Sequence, residues 1–469
     1  MFEIKGKHTT AKVFAKVIDD KCIAQITAMT NHPAFTEPIA IMPDTHAGMG
    51  SVIGFTMPMT KYIIPNVIGV DIGCGMLTAV MPDYDKKFFT NEKLDRSIRQ
   101  TVPFGMNVNN KPAINWKKDF PWQKLNRLAL DFIEKYEEKF GIRLNHPMYS
   151  YEWMVTKCKQ IGVSLDRVEC AIGTLGGGNH FIEFGETEKG KTVITIHTGS
   201  RKLGESVCRY HQGIACKALE GFDTEDYQKK IEHIRNTTAG KDIPKKIKAL
   251  RDSMKLDGQT KQMAYLHKIE DIEAYLFDML FAQTYASENR KAIYRAIFKA
   301  IDVDVSSYPH IQAKDNHMET VHNYIDFRDL VMRKGAVAAR KGEGLVIPLN
   351  MRDGVLFCTG RGNEEWNNSA PHGAGRVYSR SKAKAELCVY EFANQMDGIF
   401  STSVCVSTLD EAPDAYKDSD MIKRAVEPTA KVVSHIRTTH NMKDKTKQKS
   451  WKERKDLTKN KKSDKYIGK

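Results

Sequence analysis

The sequence lacks any apolar run of the roughly 20 residues that a membrane-spanning helix requires. The opening MFEIKGKHTT also lacks the apolar core of a secretory signal. The nine cysteines are scattered and form no C-x-x-C pair, which argues against a zinc ribbon and against a disulfide framework. We therefore expect a cytoplasmic protein in a reducing compartment, where each cysteine must be judged separately.

The charge that is present is unevenly distributed along the 469 residues. The net charge is +14, and residues 441–469 contain twelve Lys plus Arg against four Asp plus Glu, a local balance of +8. A lysine-rich segment with few aromatic residues cannot bury enough apolar surface to fold alone. This tail has two equally weighted interpretations, a flexible arm for nucleic-acid phosphates or a solubilising extension.

The order of apolar patterns predicts an α+β fold. The first 80 residues alternate short β-branched runs with glycine turns, which predicts strands and loops. Residues 91–162 and 205–301 have helical periodicity, and strand patterns return between these segments and again near residues 344–360. We predict one large catalytic domain with mixed β-sheets and helical segments over residues 1–443, followed by a basic tail at 444–469. Two interleaved lobes are the alternative.

A phosphate-loop pattern, G-x-x-x-x-G-K-T, occurs at residues 185–192. That motif holds phosphates only where a helix follows, because the helix N-terminus supplies the free amides. Here the following residues, Val193 to His197, form a β-branched strand pattern. We therefore interpret the segment as a hairpin turn and reject the phosphate loop.

Five side chains of metal-ligand type lie in short loops or at predicted strand ends. Asp71 and Cys74 share a glycine-rich bend, and His180, His197 and His322 follow at later positions. Each residue alone is more often structural than a ligand, but thiolate, imidazole and carboxylate together favour Mn, Fe, Co or Zn. Five candidates exceed what one four-coordinate zinc needs, which hints at two ions sharing a ligand.

The segment around His372 is a candidate nucleophile site. His372 is surrounded by small residues, which leaves space at its ring, and a neutral imidazole can attack phosphorus. Arg376 and Arg380 lie four residues apart and would share one face if a helix begins here, where they could bind phosphate oxygens. Asp44 and His46, in an earlier loop, are candidates for orienting ligands or contacting substrate.

These segments resemble the RtcB-type RNA ligase family over about residues 1–443. The resemblance rests on eight motifs in family order: MPDTHAGMG, VIGVDIGCGM, GTLGGGNHFIE, IHTGSRKLG, YASENR, VHN, HGAGRVYSR and DEAPDAYKD. It implies an RNA ligase that uses GTP and two Mn²⁺ ions and joins an RNA 3′-phosphate or 2′,3′-cyclic phosphate end to a 5′-hydroxyl end. His372 would carry GMP covalently before GMP activates the RNA 3′ end, in tRNA splicing or RNA repair.

The resemblance also implies roles for individual residues. The metal ligands would be Asp71, Cys74, His180, His197 and His322, with the Cys74 thiolate bridging the two ions. Contacts to the guanylate are implied for Asn179, Glu183, Asn323, Ala374, Gly375, Tyr416 and Lys443. Arg201, Arg376 and Arg380 match positions that hold phosphates of the nucleotide or RNA.

The chain departs from the family pattern at three places. Met49 stands where many members have lysine, Leu349 and Asn350 replace small residues of a nucleotide loop, and the chain continues beyond Lys443. These differences predict a divergent member. Two further functions share the metal cluster: a metal-dependent RNA-end phosphatase or cyclic phosphodiesterase, and an enzyme that caps ends with GMP without joining them. A non-catalytic RNA-binding protein is a third alternative.

Overall fold

The computed structural model describes residues 1–81, 90–221, 224–301 and 317–446. Within these ranges the strands are β1 Phe2–Lys5, β2 Thr10–Val13, β3 Ile39–His46, β4 Ile53–Pro58, β5 Gly75–Val80, β6 Phe181–Glu186, β7 Thr192–Thr198, β8 His317–Val321, β9 Asn323–Asp326, β10 Val331–Lys334, β11 Ala336–Ala338, β12 Gly344–Pro348, β13 Val355–Gly360, β14 Ser369–Pro371 and β15 Ala430–Met442.

The α-helices in the same ranges are α1 Asp20–Thr30, α2 Pro65–Ile68, α3 Asn91–Thr101, α4 Trp122–Phe140, α5 Tyr151–Gln160, α6 Leu165–Ala171, α7 Arg201–Glu220, α8 Glu225–Thr237, α9 Ile243–Met254, α10 Gly258–Met263, α11 Ile269–Ala300, α12 Arg380–Glu386, α13 Val389–Gln395 and α14 Ser419–Val426. Short 3₁₀ turns occupy Gly240–Asp242, Glu364–Trp366, Val406–Glu411 and Pro413–Ala415.

Two large sheets organise the fold. A seven-stranded sheet has the order β12-β13-β15-β6-β7-β5-β8, and every neighbouring pair in it is antiparallel. A six-stranded sheet, β1-β2-β3-β4-β10-β9, is mixed because β2 and β3 run parallel. The short pair β11-β14 is antiparallel. The predicted α+β class with mixed sheets is confirmed.

The long helix α11 lies between two hydrophobic clusters. Its first half packs with α4, α7 and residues of the six-stranded sheet, through side chains such as Tyr275 and Phe281. Its second half, including Ile293 and Phe298, packs with α3 against the seven-stranded sheet. More than half of the α11 residues are buried, so the helix lies largely in the protein interior.

Two buried polar residues of α11 hold the loops that carry candidate ligands. Asn289 accepts hydrogen bonds from the backbone amides of Gly173 and Thr174, at 2.8 and 3.1 Å. The Arg290 guanidinium donates to the carbonyl oxygens of Gly73 and Thr198, at 2.8 and 3.0 Å. The YASENR motif therefore has a structural function, since these hydrogen bonds link loops that are far apart in the sequence.

The structure also corrects and completes several sequence-based predictions. The first 80 residues contain helices α1 and α2 besides strands, because the apolar residues Cys22, Ile26 and Met29 form one buried helical face. The rejected phosphate loop is indeed a hairpin, in which β6 and β7 pair directly. Residues 447–469, most of the predicted tail, lie outside the described residues.

In the described part of the chain, no helix has both the length and the apolar character needed to cross a membrane.

We expect Arg290→Met to destabilise the fold by about 3–5 kcal/mol, since it leaves buried carbonyls and the Glu319 carboxylate without their partner. The ion pair between Arg290 Nε and Glu319 Oε1 spans 3.0 Å, and Arg290 is fully buried. Urea unfolding monitored by circular dichroism measures this loss. Arg295→Met, at an exposed position of the same helix, is the control and should change the free energy of unfolding by less than about 0.5 kcal/mol. Equal losses in both variants would contradict the proposed role of Arg290.

Candidate functional site

The candidate metal ligands lie at one end of four neighbouring strands in the seven-stranded sheet. Cys74 immediately precedes β5, His180 immediately precedes β6, His197 is the penultimate residue of β7, and His322 immediately follows β8. The strands are neighbours in the order β6-β7-β5-β8, and Gly75 pairs with both Thr198 and Val321. Antiparallel pairing therefore brings residues from four distant segments to the same end of these strands.

The ligand atoms of these side chains are within contact distance. Cys74 Sγ is 3.3 Å from His197 Nε2 and 3.5 Å from His180 Nε2. His180 Nε2 is 2.9 Å from Asp71 Oδ2, and His197 Nε2 is 3.0 Å from His322 Nε2. They form two groups that could each hold a metal ion, with Cys74 common to both. Cys74 is therefore the residue that the two candidate groups share.

The chemistry of the donor set fits transition metals. His180 Nδ1 lies 2.9 Å from the Leu175 carbonyl oxygen, to which it can donate, so Nε2 keeps its lone pair for a ligand. Burial, and after it the neighbouring imidazoles, lower the pKa of His197 well below its ordinary value, which keeps the ring neutral. Burial and the Asp71 carboxylate raise the pKa of the Cys74 thiol, so a cation would be needed to hold it as thiolate.

His372 lies beside this cluster and is held by Asp44. The His372 and His322 rings have centroids 4.8 Å apart. Asp44 Oδ2 lies 2.6 Å from His372 Nδ1 and 3.2 Å from the His372 backbone nitrogen, which donates to it. A carboxylate at Nδ1 favours the tautomer in which Nε2 is unprotonated and nucleophilic. Asp44 is buried in β3, so its carboxylate has a fixed position.

The glycine after Ala374 is required for this contact between segments. Gly375 has φ +73°, and a Cβ there would lie 2.3 Å from the Asp44 carbonyl oxygen. Only glycine allows the two backbones to approach so closely at that angle. The HGAG sequence therefore positions His372 against β3.

A cavity of about 260 Å³ opens above the histidines. Twelve of the sequence-predicted site residues line it: Asn179, Glu183, His197, His322, Asn323, His372, Ala374, Gly375, Arg376, Arg380, Tyr416 and Lys443. The remaining four, Asp71, Cys74, His180 and Arg201, are not among its lining residues. Phe181, His46 and Asn441 line it as well.

Glu183 is the buried carboxylate of this cavity. Its Oε2 accepts a 2.7 Å hydrogen bond from Asn441 Nδ2, and its Oε1 has no partner among the described residues. Burial raises the pKa of Glu183 to about 8, although Asn441 and Lys443 oppose the shift. Glu183 lines the cavity, and a buried oxygen without a partner is a group that a bound ligand would satisfy.

The cations of the cavity converge on Glu411, a residue whose role the sequence did not indicate. Lys443 Nζ is 2.7 Å, and Arg380 Nη1 2.6 Å, from the Glu411 carboxylate, and Arg376 Nη1 is 3.4 Å away. Burial alone would raise the pKa of Glu411, but these three positive charges lower it to about 2. The only sequence signal was its place in the DEAPDAYKD motif beside Tyr416.

The helix that would place Arg376 and Arg380 on one face does not include Arg376. Helix α12 begins at Arg380, capped by the Ser379 side chain, and Arg376 precedes it and pairs with Tyr416 in an isolated β-bridge. Both guanidinium groups nevertheless reach the same carboxylate.

Arg201 lies outside the cavity, at the start of α7. Its guanidinium donates to Thr174 Oγ1 at 3.3 Å and to the Gly105 carbonyl oxygen at 2.9 Å. Its backbone has φ +56°, a left-handed conformation that costs energy for a residue with a side chain. In the described structure Arg201 therefore links the loop that precedes His180 to the segment around Gly105.

Fold and site together define an α+β protein whose candidate transition-metal cluster adjoins a carboxylate-held histidine in a cavity lined by cations. The sequence profile of the family described as "tRNA-splicing ligase RtcB" matches residues 25–444. This match spans most of the chain, so the protein belongs to the RtcB family, as the motifs predicted. It is therefore an enzyme of a metal-dependent ligase family.

Individual relatives agree with this assignment. The chain is 28% identical over 433 residues to the RNA-splicing ligase RtcB of Escherichia coli (strain K12), covering 88% of this chain and 91% of the relative. It is 24% identical over 501 residues to the tRNA-splicing ligase RtcB of Nanoarchaeum equitans, covering 92% and 93%. The similarity thus extends over nearly the full length of these relatives.

We expect Cys74→Ala to reduce the metal content more than the loss of any single histidine, because Cys74 belongs to both ligand groups. Elemental analysis after dialysis against Mn²⁺ measures the bound metal per chain. Cys208→Ala, at another buried cysteine away from the cluster, is the matched control and should keep its metal. Wild-type metal content in Cys74→Ala would contradict the shared-ligand assignment.

Proposed function

We propose that this protein ligates RNA by way of a guanylylated His372. The proposal is supported by membership of the RtcB family and above all by one observation, the contact between His372 Nδ1 and the Asp44 carboxylate. That contact leaves Nε2 as the free nitrogen beside the candidate metal ligands. A hydrolase needs no such nucleotide-accepting histidine.

In the proposed first step, His372 Nε2 attacks the α-phosphorus of GTP. A nitrogen–phosphorus bond forms, the bond to the bridging oxygen breaks, and pyrophosphate leaves with the electron pair. The RNA 3′-phosphate then attacks the same phosphorus and takes GMP from the histidine. Finally the 5′-hydroxyl attacks the activated 3′-phosphate and releases its proton to solvent, GMP leaves, and a 3′–5′ phosphodiester forms. Covalent transfer divides one difficult displacement into easier ones.

We propose that Glu183 selects guanine. The guanine edge carries N–H donors, and the unpartnered Glu183 Oε1 is an acceptor on the cavity wall. Asn179, Asn323, Ala374, Gly375 and Tyr416 would complete the nucleotide contacts. Lys443, Arg376 and Arg380 would exchange part of their interaction with Glu411 for phosphate oxygens, because an anionic ligand competes for the same charges. Arg201 is the proposed contact for an RNA phosphate that approaches over α7.

Asp71, Cys74, His180, His197 and His322 are the proposed ligands of two Mn²⁺ ions, and another divalent transition metal would suit the same donor set. When bound, such ions neutralise phosphate charge and stabilise the attacking and leaving oxygens.

The proposed substrates are RNA ends with a 3′-phosphate or 2′,3′-cyclic phosphate and a 5′-hydroxyl, as in tRNA splicing or RNA repair. Water would first open a 2′,3′-cyclic phosphate to the 3′-phosphate at the same site. We also propose that residues 1–443 form the catalytic unit. Asp444 and Lys445 still contact it, since Asp444 lies against Gly105 and Gly177, and Ser407 Oγ donates to the Lys445 carbonyl oxygen. The Lys443 side chain meanwhile remains in the cavity.

With α-labelled GTP and Mn²⁺, we expect label to remain on the denatured wild-type protein and to be absent from His372→Ala, because among the described histidines of the cavity only His372 has a carboxylate at its Nδ1. Labelled ATP should give little signal, since adenine lacks the matching donors. His233→Ala, on the exposed surface of α8, is the matched control and should label normally. Absence of label from wild type under every divalent metal would favour the phosphatase or phosphodiesterase function instead.

We expect Asp44→Asn to slow guanylylation by about 100-fold or more, because an amide stabilises neither the required tautomer nor the positive charge that the ring gains when Nε2 bonds phosphorus. Single-turnover labelling measures the rate. Asp420→Asn, an exposed carboxylate, should label at the wild-type rate. Metal content and unfolding temperature should stay unchanged in both variants. A wild-type rate in Asp44→Asn would show that Asp44 does not position His372.

A further inference from the structure

Helices α8 and α9 form a hairpin that contributes almost nothing to the protein core. Tyr227 is the only fully buried residue of α8, and α9 has none. Globular helices usually bury an apolar face in the core to be stable. Here Ile243, Ile247, Leu250 and Met254 form a stripe along α9 that is only partly buried. Packing of the core therefore does not explain why the chain makes this hairpin.

The hairpin carries a net positive charge that lies mainly on α9. Residues 225–254 contain eight Lys plus Arg against five Asp plus Glu, a balance of +3, and residues 243–254 of α9 contain four Lys plus Arg against one Asp. Lys245, Lys246, Lys248 and Arg251 are exposed and lie off the apolar stripe of α9. Within the described ranges none of these four forms an ion pair with a carboxylate; the ion pairs of this region are made by Lys229, Lys230 and Lys255. The four side chains are therefore accessible from solvent.

The exposed face of the hairpin does not have the composition of a protein-binding surface. Cores of protein interfaces are rich in aromatic and large apolar side chains. Among the described residues, the large apolar side chains that are exposed include none between residues 225 and 263. Spread cations without an apolar centre instead match a polyanion, whose binding depends on phosphate neutralisation.

We propose that the α8–α9 hairpin is a binding surface for the phosphate backbone of RNA, away from the ends that react. The inference rests on the proposed ligase function. The length of helix α7 gives the distance between the candidate ligands and the start of the hairpin. At the beginning of α7, Ser200 Oγ donates to the carbonyl oxygen of Ile72, next to Asp71, and the hairpin follows the other end of α7 at Gly221. Twenty residues at 1.5 Å each make about 30 Å. An RNA strand with its end at the candidate ligands must therefore span about 30 Å to reach the end of α7 from which the hairpin follows.

The test compares wild type with Lys245→Gln/Lys246→Gln/Lys248→Gln/Arg251→Gln. The RNA substrates are single strands of about 4 and about 30 nucleotides, each with a reacting end. Stacked nucleotides advance about 3.4 Å each, so the shorter strand cannot span 30 Å. For the longer RNA we expect affinity to fall about tenfold at low salt, and the slope of log K against log salt to decrease by about 0.7 per lost contact. Affinity for the shorter RNA should not change.

Two controls make the result specific. Replacing the three lysines by arginine retains the charge and should retain the affinity. Neutralising Lys111, Lys118, Lys124 and Arg127, which are exposed elsewhere, removes the same charge and should have less effect. The proposal would be overturned by an equal loss of RNA affinity in this control, by an equal loss for both RNA lengths, or by an unchanged slope of log K against log salt. It would also be overturned if the variant kept the wild-type slope for RNA and instead lost binding to an acidic protein.

Guanylylation by labelled GTP separates this proposal from the ligase proposal. The hairpin supplies no cavity residue, so all variants should label like wild type. Normal labelling with unaltered RNA binding would overturn only the hairpin surface, whereas absence of labelling in wild type would overturn the ligase mechanism itself.

Discussion

The fold depends on the antiparallel pairing of the neighbouring strands β6, β7, β5 and β8, which brings the candidate ligands together at one end of these strands. A cysteine and three histidines from segments as far apart as residues 74 and 322 meet there within hydrogen-bond distance. Such a donor set is costly to bury unless each loop is held, because unpaired polar groups lose hydration without compensation. The two α11 residues Asn289 and Arg290 hold those loops by binding their backbones.

The second constraint joins the two sheets. Asp44 belongs to the six-stranded sheet, His372 follows the short strand β14, and His322 belongs to the end of the seven-stranded sheet. The contacts of His372 with Asp44 and His322 place the candidate nucleophile next to the candidate metal ligands. A change in the packing of either sheet would therefore move the histidine relative to the ligands.

Much of the site was predictable because its residues are chemically distinctive. Cysteine, histidine and aspartate in glycine-rich loops indicate ligands whatever the fold, and the motif order identified the family. Glu411 was not predictable in this way, since a single glutamate near a 3₁₀ turn has no distinctive pattern. Its partners Lys443, Arg376 and Arg380 come from other segments, and no local periodicity connects them. Helix α1 was missed because its apolar face is short.

The sequence by itself determined the α+β class, the hairpin in place of a phosphate loop, the family and most candidate site residues, because these depend on local periodicity and on residue chemistry. Only the tertiary structure decided which side chains meet. It assigned Asp44 to His372, Asn289 and Arg290 to the ligand loops, and Glu411 to the cations of the cavity. These contacts join residues tens to hundreds of positions apart, and strand register and helix packing set their distances.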